Sequence, residues 1–115
     1  MAHARMKDLC FDAGDHHALA DWWCAVLGYT RADADPDADP ADPVLLQPGA
    51  EGGLPVWVNP VPEPKTAKNR MHLDVYGDTE EILAAGATLL HRNVGNGWDV
   101  LADPEGNEFC VFPPE

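Results

Sequence analysis

The sequence predicts an α+β fold made of two successive βαβββ modules, and three observations predict it. Short segments with apolar residues at period two are interrupted twice by helical spacing, giving the order β-α-β-β-β twice. The same residue patterns recur in the same order in both halves. A Pro-rich, charged stretch near the midpoint separates them. The expected boundaries are module one at about 5–60, a connector at about 61–69 and module two at about 70–113.

In the first module, residues 6–13 (MKDLCFDA) alternate, with Leu9 and Phe11 on one face and Asp8, Cys10 and Asp12 on the other. Gly14-Asp15 opens a helix with Asp15 as N-cap. Leu19, Trp22, Trp23, Val26 and Leu27 fall at helical spacing, and Gly28 closes it. Tyr29–Ala32, Val44–Gln47 and Leu54–Pro60 read as strands. Between the first two lies an Asp/Pro loop, residues 32–43. It lacks the ligand spacing and closing Glu of a calcium hand and reads as a solvated loop. In the second module, strands are expected at Arg70–Tyr76, Thr88–Asn93, Trp98–Ala102 and Glu108–Phe112. A short helix is expected at Asp78–Ala85 and a turn at Asp103-Pro-Glu-Gly106.

The repeat is also visible residue by residue. Asp8-Leu9-Cys10-Phe11 answers His72-Leu73-Asp74-Val75, and a Gly-Asp pair opens each helix. Each helix ends at a Gly two residues before a Thr, and GLPVWVNP at 53–60 answers GNEFCVFP at 106–113.

Seven Lys+Arg against 20 Asp+Glu give a formal charge of -13, and neither half is basic. Such a surface repels phosphate backbones and anionic headgroups, so nucleic acid and membranes are not expected partners. No apolar run approaches the ~20 residues that span a bilayer. The opening MAHARMKDL lacks the architecture of a signal peptide, so the expected location is cytoplasmic. Cys10, Cys24 and Cys110 have neither disulfide-framework nor zinc-knuckle spacing. His3, His16 and His17 are expected to be exposed and unrelated to a site.

Three segments together carry a family resemblance: LADWWCAVLG at 19–28, RMHLDV at 70–75 and DPEGNEFCVF at 103–112. The chain resembles the vicinal oxygen chelate superfamily of glyoxalase I, extradiol dioxygenases, and fosfomycin- and bleomycin-resistance proteins. It is most similar to the small glyoxalase-like domains that run PEPK..KNR.HLD and end DPEGNEFCV. The resemblance implies that the modules curl into a cupped, incomplete barrel around a small-molecule pocket. It also implies a homodimer. The positions that bind metal in metal-dependent members fall here on Asp8, Trp57, His72 and Cys110.

Metal-dependent members use imidazole and carboxylate at these positions, a set suited to zinc, nickel or iron. Trp57 is a donor only and cannot ligate. Asp8, His72 and Cys110 remain as a possible three-ligand set. The expected pocket lining is Asp8, Cys10, Asp12, Trp57, Asn59, Arg70, His72, Asp74, Glu108 and Cys110. A face this polar is costly in a dry core. Two functions follow. One is a pocket protein that binds or sequesters a small organic ligand without the standard metal set, with Trp57 as a platform. The alternative is a metal-dependent lyase or isomerase in which His72 moves a proton next to a carbonyl. Lys65, Lys68 and Arg70 gather at the connector, either as an anion clamp or as salt-bridge partners of nearby carboxylates, the second being preferred.

Overall fold

The computed structural model describes residues 2–32, 36–93, 95 and 97–114. The chain divides into two compact units, Met1–Glu63 and Pro64–Glu115.

The first unit holds β1 (Leu9–Ala13), α1 (His16–Leu27), β2 (Thr30–Arg31), β3 (Val44–Gln47) and β4 (Val56–Pro60). Its strands form one sheet in the order β1-β4-β3-β2, with β1 parallel to β4 and the other pairs antiparallel. The helix forms where the sequence asks for it. The Asp15 carboxylate accepts the Ala18 N–H at 3.1 Å, satisfying a donor that the first turn leaves unpaired. Gly28, at φ 71°, ends the helix in the left-handed conformation that a side chain disfavours.

Period two then sorts the sheet. Ala13, Val44, Leu46, Val56 and Val58 are buried together with Leu19, Ala20 and Trp23 of α1. The Trp23 indole stacks on Phe11 with ring centroids 5.3 Å apart, and Trp22 meets Trp23 edge-on at 4.9 Å. Both adjacent tryptophans therefore serve the core side of the helix.

The second unit repeats the order with β5 (Leu73–Tyr76), α2 (Thr79–Ala84), β6 (Thr88–His91), β7 (Asp99–Ala102) and β8 (Glu108–Phe112), arranged β5-β8-β7-β6. Asp78 caps α2 by accepting the Glu81 N–H at 3.1 Å. Its core is thinner, with Ile82, Leu101, Phe109 and Val111 buried, and every residue of β6 is exposed. The two four-stranded sheets and two helices are the α+β arrangement the repeat predicts.

Several boundaries move inward. β1 begins at Leu9 rather than Met6, and β5 at Leu73 rather than Arg70. At β5 the cause is local: the Glu108 carboxylate accepts the Asn69 N–H at 3.1 Å, engaging the incoming chain before it pairs with β8. Arg70 and His72 therefore both lie ahead of the strand rather than within it.

The histidines at the start of α1 also differ from expectation. His16 is buried, and its Nε2 lies 3.0 Å from the Asp42 carbonyl. The His17 Nδ1 accepts from Arg31 at 2.8 Å, which leaves Nε2–H to donate to the Pro40 carbonyl at 2.7 Å. Both rings thus hold the end of the Asp/Pro stretch, where described residues 36–43 are otherwise mostly exposed. Residues 33–35 of that stretch lie outside the described residues.

Candidate functional site

In the first unit, the register of β1 and β4 sets Cys10 beside Trp57 and Asp12 beside Asn59, on the face opposite α1. Leu45 pairs with Trp57 from the other side. Asp8, one residue before β1, receives Lys7 at 2.6 Å and the Cys10 thiol at 3.7 Å. The Lys7 hydrogen bond is the largest cause holding this carboxyl below its ordinary range. Asp12 accepts weakly from Asn59 at 3.4 Å. Five of the ten residues expected to line a pocket are thus brought together on one sheet face.

The second unit gathers His72, Asp74, Glu108 and Cys110. β5 and β8 run parallel, with Asp74 directly opposite Cys110. The His72 Nδ1 lies 3.2 Å from the Asp74 carboxylate and 4.0 Å from the Cys110 sulfur. One donor atom from each of the three residues falls within 4.8 Å of the others. Burial, and then the charge of Asp74, push the Cys110 thiol above its ordinary value, so it is a neutral thiol near pH 7 rather than a poised nucleophile. Asp74 thus stands where the sequence reading placed only a lining residue. Asp8 belongs to the other unit.

Glu108 has a different role. It pairs with Lys65 at 2.8 Å and accepts the Asn69 N–H, and the Lys65 hydrogen bond is the main cause that pulls it from 4.5 to about 2. Lys65 is therefore the salt-bridge partner anticipated for the connector cations, and Arg70 is exposed. A carboxyl with a depressed folded pKa stabilises the fold fully above its unfolded value. It loses that contribution as pH falls through the folded one. Urea unfolding of wild type and Glu108→Gln should therefore differ most above pH about 4.5 and converge as pH approaches 2. A constant difference across that window would refute the assignment.

The four-position metal set that the resemblance implies does not fit these residues. The Trp57 nitrogen has no lone pair to offer a metal. No reaction step is routed through such a centre.

The second unit also contains an open cavity of about 350 Å³, lined among others by Asp78, Thr79, Arg92, Trp98, Asp99 and Val111. The sequence reading missed it. Its polar groups satisfy one another. Asp99 accepts from Thr79 at 2.7 Å and from the Asn93 N–H at 3.1 Å, while Arg92 reaches Glu80 at 2.9 Å. The signal available in the sequence was the opposite charges of Glu80 and Arg92 on either side of the second helix and strand.

A family model described as the glyoxalase-like domain matches residues 8–112. Among curated proteins no sequence matches this chain. The fold is similar to that of a glyoxalase/bleomycin resistance protein/dioxygenase family enzyme from Burkholderia phytofirmans PsJN. That match has a TM-score of 0.68 and 21% identity, over 97% of this chain and 100% of that one. It is also similar to the E126Q mutant of the fosfomycin resistance protein FosX from Listeria monocytogenes, complexed with manganese(II) and 1S,2S-dihydroxypropylphosphonic acid. There the TM-score is 0.70 at 12% identity, over 100% of this chain and 93% of that one. A third similar structure is TnmS3, an antibiotic binding protein from Streptomyces sp. CB03234, with a TM-score of 0.59 and 15% identity over 100% and 99% of the two chains. With the family model spanning nearly its whole length, the chain belongs to the glyoxalase-like domain family.

Proposed function

We propose that this protein binds a small, flat, cationic or zwitterionic organic molecule on the face of its first sheet, without the metal set of its enzymatic relatives. The observation that carries the reading is Trp57, set on the face opposite α1 with Asp8 and Asp12 on the neighbouring strand side. An indole offers a flat apolar platform and a negative π face, and carboxylates beside it favour a positive charge. Cys10 and Asn59 complete the lining on the same two strands. TnmS3, an antibiotic binding protein on a similar fold, supports binding of a small organic molecule. The acidic surface fits neither nucleic acid nor anionic membranes as partners. No described helix is long and apolar enough to cross a membrane. A cytoplasmic homodimer is the assembly that accompanies this reading.

Calorimetric titration with planar cationic dyes such as proflavine and ethidium tests it. Binding should weaken about 5- to 30-fold in Trp57→Ala, the loss of about 1–2 kcal/mol of stacking and cation–π attraction. Trp57→Phe should retain most of the affinity. Dye binding that is unchanged in Trp57→Ala, or absent in wild type, would sink the reading.

A second reading keeps His72 as a proton-transfer group for a glyoxalase-type lyase or isomerase, favoured by the Asp74 carboxylate 3.2 Å from its Nδ1. A carboxylate at that distance fixes the ring, which is the orienting role such a base needs.

A further inference from the structure

We propose that Lys7 sets the charge selectivity of the ligand face on the first sheet, so that the face favours a zwitterionic organic molecule over a purely cationic one of the same shape. The inference rests on the ligand reading above and narrows its ligand class.

The two carboxylates of this face are not equivalent. Asp8 has both oxygens engaged: Oδ2 accepts from the Lys7 ammonium at 2.6 Å, and Oδ1 accepts from the Cys10 thiol at 3.7 Å. The Asp8 side chain is only 13% exposed, whereas that of Lys7 is 84% exposed. A ligand cation therefore gains Asp8 only by displacing Lys7. Asp12 is bound far more weakly, by the Asn59 amide at 3.4 Å from the paired position on β4. Its charge is the one this face leaves open to a cation.

Strand geometry then sets what fits. Alternate residues on one face stand about 6.6 Å apart, so Asp8, Cys10 and Asp12 span roughly 13 Å, with Trp57 paired to Cys10 at the middle. A flat body lying on the indole has Asp12 toward one end and the Asp8–Lys7 pair toward the other. The Lys7 ammonium has three donors and gives one to Asp8, which leaves two for an anionic group of the ligand. A zwitterion satisfies both ends, its positive group at Asp12 and its carboxylate at Lys7. A pure cation of the same shape meets one open carboxylate and a competing ammonium. The exposed position of Lys7 lets its long stem follow ligands of different length.

Rhodamine B and its ethyl ester are the probes. The two dyes share one xanthene body, and at neutral pH the acid is a zwitterion and the ester a cation. Fluorescence titration of the full chain should show wild type binding the acid more tightly than the ester. In Lys7→Met the ratio of the two affinities should shift at least about threefold toward the ester, because the acid loses an ion-pair partner and the ester gains Asp8. Lys7→Arg should keep the wild-type preference, and high salt should shrink the difference between wild type and Lys7→Met. Thermal unfolding of both variants should match wild type, since Lys7 is exposed. A wild type that prefers the ester, or a ratio unchanged in Lys7→Met, overturns the selectivity role; if both dyes still depend on Trp57, the ligand reading stands. Failure of both dyes to bind wild type, or binding untouched by Trp57→Ala, overturns the two together.

Discussion

Replacing Trp23 by alanine should destabilise the protein by about 3–5 kcal/mol, the loss expected for emptying a large buried aromatic site. The Trp23 side chain is fully buried at 0% exposure, stacks on Phe11 and supports Trp22 edge-on. Alanine leaves a cavity between α1 and the sheet that Leu19, Leu46 and Val58, all fully buried themselves, cannot close without strain. Thermal unfolding should show the melting temperature falling by about 10–20 °C. Trp22→Ala, at a half-buried position, should cost less than about 2 kcal/mol. The pair of measurements separates packing from ligand recognition. Trp23 acts only from the helix side, so its loss lowers stability. Trp57→Ala on the opposite face should lower dye affinity with little change in melting. Equal melting of Trp22→Ala and Trp23→Ala would refute the burial argument.

That separation of faces was the part of the structure most legible in the sequence. Period two places Asp8, Cys10 and Asp12 together, and the two helices carry their caps in plain view at Asp15, Gly28 and Asp78. The internal repeat strengthened each module by the other. Strand starts were less legible because they depend on contacts made far along the chain. Arg70–His72 alternates as a strand would, yet the Asn69 N–H is taken by Glu108, 39 residues away.

The candidate site was legible only as a set of residues on faces. Period two shows that His72 and Asp74 project alike, but the pairing of Asp74 with Cys110 is a register between two parallel strands far apart in the chain, which no local pattern encodes. The buried state of His16 was hidden for a similar reason. Its partner is a backbone carbonyl at Asp42, in a stretch whose composition signals only solvation. The cavity beside α2 escaped because Arg92, Trp98 and Asp99 line it together with Asp78, Thr79 and Glu80 of the helix start, and no local pattern encodes that meeting.

The turn between β7 and β8 is held by one carboxylate, and its removal is the second large effect. Asp103 is buried at 3% exposure. Its Oδ1 accepts the Glu105 and Asn107 N–H groups at 2.9 Å, and both oxygens accept from the Asn107 amide, at 3.1 and 2.9 Å. Backbone bonds from Gly106 to Asp103 and from Asp103 to Asn107 close the turn, with Gly106 at φ 90°. Hydrogen bonds to a charged acceptor contribute roughly 1.5–3 kcal/mol each in isolation and are not additive. Asp103→Ala should therefore cost about 2–4 kcal/mol and speed amide exchange across β7 and β8. Asp103→Asn keeps the Oδ1 acceptor but points its amide at the Asn107 amide, donor against donor, so it should recover only part of the loss. Exchanging the two residues, Asp103→Asn with Asn107→Asp, restores donor to acceptor and should recover more than Asp103→Asn alone. If Asp103→Ala melts with wild type, the bonds to Asp103 do not hold the turn.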